Sequence, residues 1–175
     1  MPTQLDTDIR RITDAVTAPG QMFATKEVDR GGIIMPAFVN APPTLSHYFA
    51  HFCTQHRDTP FLVDGDLRLT FGEVYDAAQR VADGLATRHG VKKGDRVGIA
   101  ARNSANWIVA YMGTIMAGGV AALLNGWWTG EELAYGIDLC ECSLVLADAP
   151  RAARLEGHKH SARLHVFAHG APAEG

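Results

Sequence analysis

The stretch GDRVGIAARNSANWIVAYMGTIMAGGVAALLN, residues 94–125, decides the fold. It opens on a turn, Lys93-Gly94-Asp95, that feeds a short apolar run over residues 97–101. Asn103 and Ser104 then offer oxygens that can cap a helix, just ahead of Trp107, Ile108, Ala110, Tyr111, Ile115 and Met116. No residue between Arg102 and Glu131 is charged. Residues 107–124 therefore raise the question of a membrane span, for which roughly 18 apolar residues suffice. Three features argue against one. Ala117-Gly118-Gly119 interrupts the run, and each glycine weakens a helix interior by about 1 kcal/mol relative to alanine. No cluster of Lys or Arg flanks either end. Divided at the glycines, the pieces have the lengths of a buried helix (residues 105–117) and a buried strand (residues 120–124). Strand, helix and strand, with no polar face on the helix, make a crossover unit packed inside an α/β domain.

Working outward, 175 residues make one domain or part of a larger one, able to bury about 70% of its unfolded surface. A hydrophobic content of 47% with 20% charged residues places the chain among globular proteins. A net charge of −3 and a pI near 6.2 argue against nucleic acid or anionic lipid as the main partner. The start, Met-Pro-Thr-Gln-Leu-Asp, has neither the basic nor the apolar region of a signal peptide, so a soluble cytoplasmic protein is expected. Cys53, Cys140 and Cys142 cannot build a disulfide framework, and Cys140-Glu141-Cys142 lacks a second pair at zinc-site spacing. Reduced, partly buried thiols are the expectation.

Residues 1–43 read as a lead-in. Leu5, Ile9, Ile12 and Val16 fall at helical spacing, and residues 23–28 and 33–39 can pair as a hairpin through Arg30-Gly31-Gly32. From residue 44 an α/β unit is expected, running to residue 175. Thr44 precedes a helix in which Leu45, Tyr48, Phe49 and Phe52 share one face. Asp64-Gly65-Asp66 marks a hairpin between residues 61–63 and 67–70. Thr70-Phe71-Gly72-Glu73 is a capping box, leading a helix with Val74, Ala78, Val81, Ala82 and Leu85 inward and Gly90 at its end. Thr129 to Glu132 repeats the capping box, with Leu133, Gly136 and Ile137 inward. Residues 143–147 form a further buried strand, Asp148-Ala149-Pro150 caps a short basic helix with Arg151 and Arg154, and residues 164–167 form a last strand. Residues 168–175 read as a loop. From Thr70 onward helix and strand alternate four times, which predicts a largely parallel sheet with right-handed crossovers and helices on both faces.

Chemistry is harder to find. The sequence lacks G-x-G-x-x-G, the phosphate-binding G-x-x-x-x-G-K-[S/T], G-x-S-x-G and H-E-x-x-H. His47 and His51 are four apart, suitable for a shared metal, but lie opposite the apolar stripe with no third ligand nearby and read as solvated. His158, His160, His165 and His169 follow no ligand spacing. No catalytic, cofactor-binding or metal residue is assigned. Trp127 and Trp128, adjacent at a strand end, are the candidate substrate-binding residues. They form a ligand or subdomain wall, since ligands bind at the carboxyl ends of such strands, or a plain cover over the sheet. The sequence leaves both open.

Several segments together resemble a known family. Leu69-Thr70-Phe71-Gly72-Glu73-Val74 resembles the LTY-x-EL motif of AMP-forming adenylating enzymes. Gly94-Asp95-Arg96-Val97, with Asn103-Ser104 and Trp107, resembles their GDRV…NS…W segment, and residues 116–125 resemble KAG-x-V-x-x-PLN. Within that superfamily Ala18-Pro19-Gly20, residues 41–45 and residues 127–133 are most similar to fatty-acyl-CoA synthetases. Leu124 stands where the family has proline, a change expected to alter only a strand end. The resemblance implies the N-terminal subdomain of the adenylate-forming fold. It further implies that the full-length protein joins a fatty acid to coenzyme A with Mg-ATP, releasing AMP and pyrophosphate. The family's ATP loop, adenine-binding segment, hinge and catalytic lysine have no counterpart in these residues, so no functional residue is carried over and no cofactor is expected on this chain. Two alternatives stand beside a ligase fragment: a non-catalytic module pairing with another chain, and a small acyl-binding domain around Trp127 and Trp128.

Overall fold

The computed structural model describes residues 2–167. The loop expected over residues 168–175 lies outside the described residues. The chain divides into two compact units between Thr44 and Leu45. In the first, α1 (Gln4–Thr17) starts from Thr3, whose hydroxyl accepts from the Asp6 N–H at 3.2 Å while Asp6 Oδ2 accepts from the Thr3 N–H at 2.7 Å. This reciprocal cap satisfies donors that a helix start leaves orphaned. β1 (Thr25–Arg30) and β2 (Ile33–Phe38) pair antiparallel, with Arg30 opposite Ile33. Gly31 and Gly32 between them have φ of 66° and 88°, the left-handed backbone that a two-residue hairpin turn demands. Ala24 alone is buried among this unit's described residues, so a helix and a two-stranded ribbon build little core of their own.

The second unit opens with α2 (Leu45–Gln55) and an antiparallel hairpin, β3 (Pro60–Asp64) and β4 (Leu67–Thr70). Then come α3 (Phe71–Thr87), β5 (Arg96–Ala100), α4 (Ala105–Met116), β6 (Val120–Leu123), α5 (Gly130–Leu139), β7 (Leu144–Asp148), α6 (Ala149–Leu155) and β8 (Arg163–Phe167). The expected alternation is the one the chain adopts, and β5 to β8 form a wholly parallel sheet in the order β6-β5-β7-β8. Both capping boxes are present: Thr70 with Glu73 opens α3, and Thr129 with Glu132 opens α5.

Strand periodicity distributes the core. Val97, Ile99, Leu144 and Leu146 point to one face and meet Leu85 of α3 and Ala110 of α4. Ala100, Val145 and Ala147 point to the other and meet Leu133 and Ile137 of α5 and Leu155 of α6. A third cluster, with Cys53, Val74, Ala78 and Met112, joins α2, α3 and α4. At the amino ends of β5 and β6 two turns dock on each other. The Gly94 N–H donates to the Gly118 carbonyl at 2.9 Å, and the Val120 N–H to the Asp95 carbonyl at 2.8 Å. Both Gly94 (φ 91°) and Gly118 (φ 84°) occupy the left-handed region there.

Four expectations are corrected. β6 is an edge strand, so Val120 and Leu123 are half exposed and the strand is not buried as its composition suggested. α2 turns Phe49 and Cys53 inward and leaves Leu45 and Tyr48 exposed. Small Ser46 and Cys53 let α2 approach its neighbours, the Ser46 hydroxyl donates to the Ile115 carbonyl at 3.2 Å, and the Phe49 ring meets Tyr111 edge-on at 6.2 Å. Leu124 is more than a strand end: it is buried in the α5-side core, and its N–H donates to the Ile99 carbonyl at 3.1 Å. Arg151, expected on an outer helix face, is buried.

Candidate functional site

The sheet order sets where a ligand site belongs. β5 leads through α4 to β6 on one side, and β7 leads through α6 to β8 on the other, so the winding reverses between β5 and β7. In open α/β sheets the carboxyl ends at such a reversal form the crevice that ligands use. Three loops converge there, following Ala100, Leu123 and Asp148.

Asp148 organises this point. Its Oδ2 accepts from the Arg102 N–H at 2.9 Å and from Arg151 Nη1 at 3.1 Å, and its Oδ1 accepts from the Arg151 N–H at 3.0 Å, capping α6. Asp148 is 2% exposed and Arg151 7% exposed, so this is a buried ion pair whose carboxylate is satisfied by hydrogen bonds from three groups. Arg151 Nε donates to the Gly126 carbonyl at 2.8 Å. Arg154 Nη1 donates to the carbonyls of Gly126 at 3.0 Å and Trp128 at 2.9 Å. Two arginines thus hold the 126–128 peptides from beneath, while α5's cap holds the next residue, Thr129. Gly126 is required because a Cβ there would come within 2.9 Å of the Ala101 carbonyl oxygen. Sequence reasoning missed this arrangement. Its one local sign is the spacing of Asp148 and Arg151, three apart across a helix start.

The loop sends its two tryptophans in different directions. Trp128 packs on the α5-side core, against the space left by Gly136, and serves as a cover. Trp127 is 85% exposed, its N–H held by Asn125 Oδ1 at 3.0 Å. The structure therefore does not bring them together as one wall.

Ionisable groups near these loops act structurally. Hydrogen bonds from the Thr129 backbone and hydroxyl hold Glu132 below its ordinary range, and those from Ser161 do the same for Asp138. Burial raises the Cys53 thiol and pushes Cys142 up to about 11, which keeps both protonated and poorly nucleophilic at neutral pH. The His51 ring lies edge-on to Phe52 at 4.8 Å, and His165 lies edge-on to His89 at 5.0 Å. Among the described residues no three His, Cys, Asp or Glu groups converge for a metal. No described helix is long and apolar enough to cross a membrane.

A family model described as AMP-binding enzyme matches residues 49–174. The chain belongs to this AMP-binding enzyme family. The medium/long-chain-fatty-acid–CoA ligase FadD6 of Mycobacterium tuberculosis is 32% identical over 144 residues, covering 82% of this chain and 24% of that protein. Acyl-CoA ligase sidI of Aspergillus fumigatus is 36% identical over 87 residues, covering 50% of this chain and 14% of that protein. This AMP-binding chain therefore spans about a quarter or less of these curated relatives. Among solved structures, the N-terminal domain of FACL13 from Mycobacterium tuberculosis superimposes with a TM-score of 0.66 at 21% identity, covering 73% of this chain and 34% of that one. A benzoate CoA ligase from Burkholderia xenovorans gives 0.65 at 22% identity, covering 71% and 26%. The fold is that of the N-terminal part of adenylate-forming enzymes.

Mg-ATP, which the family implies, finds no triphosphate cradle among the described residues. The guanidiniums of Arg151 and Arg154 are committed to Asp148 and to loop carbonyls. At the start of α4 the Ala105 N–H donates to Asp64 and the Trp107 N–H to Ser104.

Proposed function

We propose that this chain is the N-terminal part of a cytoplasmic, AMP-forming fatty-acyl-CoA ligase, and that it supplies a parallel-sheet scaffold without adenylation machinery of its own. The observation that carries this is the commitment of the arginines at the β5/β7 crevice to the protein itself, within a chain matched by the AMP-binding enzyme model over residues 49–174. Transfer of a nucleotidyl group needs cations and backbone donors aimed at developing charge, and these donors are already spent. The ligase uses a fatty acid, Mg-ATP and coenzyme A, and the partner of this segment is the remainder of the synthetase. Residues 1–43 act as a lead-in to the α/β unit of residues 44–175. Trp128 stabilises that unit, and Trp127 is the residue available to a ligand or an adjoining subdomain.

The test is ATP–pyrophosphate exchange with medium- and long-chain fatty acids. It is run on the 175-residue chain and on a chimera in which the chain replaces the matching segment of FadD6. Exchange in the chimera with background in the chain alone is expected. Turnover by the chain alone would overturn the scaffold role. A chimera that folds by circular dichroism yet shows no exchange would overturn the ligase assignment.

The free edge of β6, with Val120 and Leu123 half exposed, favours a second reading as a module that pairs with another chain. Size-exclusion chromatography with light scattering discriminates it. Concentration-dependent association lost in V120K supports pairing, and a monomer at all concentrations excludes self-pairing through this edge.

A further inference from the structure

A cleft of about 480 Å³ opens on the α3/α4 face of the sheet, away from Trp128, between the last turn of α3, the first turns of α4, and strands β7 and β8. Its size falls in the range of small-molecule sites, about 300–1,000 Å³. The walls are apolar: Val81 and Leu85 from α3, Val109 and Ala110 from α4, Leu146 from β7 and Phe167 from β8. Its polar groups are unevenly chosen. Arg88, His89 and His165 line it together, and no carboxylate does. Arg163 Nη2 lies against the same corner, donating to the His89 carbonyl at 2.7 Å. Burial, then the nearby charges of His165, Arg163 and Arg88, hold the His89 imidazole below its ordinary range, which reports a corner rich in cations. The Arg88 side chain makes no hydrogen bond or ion pair with any described residue, so its charge is available.

An apolar cavity with cations at one end calls for an occupant with an apolar body and one negative head. A nucleotide or polyphosphate does not match these walls. Residues 168–175, AHGAPAEG, carry no large apolar side chain to fill them. We infer that this cleft binds a free fatty acid, its chain lying on Leu85, Val109, Leu146 and Phe167 and its carboxylate on Arg88 and His165. The site lies on the opposite face of the sheet from Trp128 and the Arg151 anchor, and it does not depend on the ligase assignment.

The test titrates the 175-residue chain with decanoate and with 1-decanol, following the imidazole signals of His89 and His165 by NMR. Decanoate is expected to shift both signals saturably, with 1-decanol about tenfold weaker or worse because it lacks the charged hydrogen bond. R88A alters an exposed side chain and leaves the fold intact. It is expected to weaken decanoate about tenfold while leaving 1-decanol unchanged. F167A is expected to weaken both ligands. Absence of saturable shifts at either histidine, equal affinity for the two ligands, or an R88A variant that binds decanoate as tightly as the parent would each overturn the inference.

Discussion

Replacing Asp148 tests whether its buried carboxylate governs the strand-end crevice. D148A removes the partner of a guanidinium that is 7% exposed, the acceptor for the Arg102 N–H, and the cap of α6. Stranding one member of a buried pair costs about 3–5 kcal/mol. Loss of the helix cap is contained in the same truncation and adds about 1 kcal/mol at most sites. Arg151 keeps its bond to the Gly126 carbonyl, which argues for the lower half of that sum, about 4 kcal/mol. With an m-value near 2 kcal/mol per molar urea, the unfolding midpoint is expected to fall by about 2 M. D148N retains the side-chain oxygens for capping but loses the charge, and should cost about half as much. R151M leaves the carboxylate with two backbone donors and should also be milder than D148A. Urea titrations followed by far-UV circular dichroism measure all three, and tryptophan quenching reports whether the 126–128 loop loosens. A D148A variant within 1 kcal/mol of the parent would refute the argument, because a buried cation cannot lose its counter-charge at so little cost.

Three further outcomes are expected. L124P, which restores the residue common in the resembling family, removes the donor to Ile99 and a buried side chain, and should destabilise by about 2–5 kcal/mol in thermal or urea unfolding. Glu132 has a folded pKa below its unfolded value, so its contribution is present above the ordinary glutamate range and is lost as pH falls through the folded pKa; E132Q should flatten that acid limb of the stability curve while T129A costs about 0.5–2 kcal/mol. Among the thiols, half-buried Cys140 should react with iodoacetamide at pH 8 before Cys53 and Cys142, whose burial raises their pKa; mass spectrometry showing Cys142 modified first would contradict that order.

What could be read from sequence was what short segments determine by themselves. Thr70 with Glu73 and Thr129 with Glu132 cap helices within four residues, so those starts were legible, as were the turns at Gly31-Gly32 and Gly65. The uncharged run of residues 105–123 separated correctly into α4 and β6 at its glycines. What escaped depended on distant partners. Strand order is set by which strands pair, so nothing in Val120-Ala121-Ala122-Leu123 announces an edge. The face α2 buries is chosen by Ile115 and Tyr111, more than sixty residues along the chain. Arg151 and Arg154 looked like solvated charges because their acceptors, the carbonyls of Gly126 and Trp128, are backbone groups that composition cannot reveal. For the tryptophans, the cover role of Trp128 was among the possibilities, whereas their divergence was not.

The docking of the Gly94 turn onto the Gly118 turn has a bearing on how this fold tolerates change. The two bonds at that pole, Gly94 to Gly118 and Asp95 to Val120, start β5 and β6 from a common origin and fix Arg96 opposite Val120. One residue inserted beside Gly118 would slip β6 along β5 and turn each of its side chains to the opposite face. Insertions after Ala101 or Asn125 meet no such constraint, since both strands have by then been set. Length variation is therefore confined by geometry to the end of the sheet where ligands are met, and a lineage of such chains could lengthen its loops there without disturbing the ladder beneath.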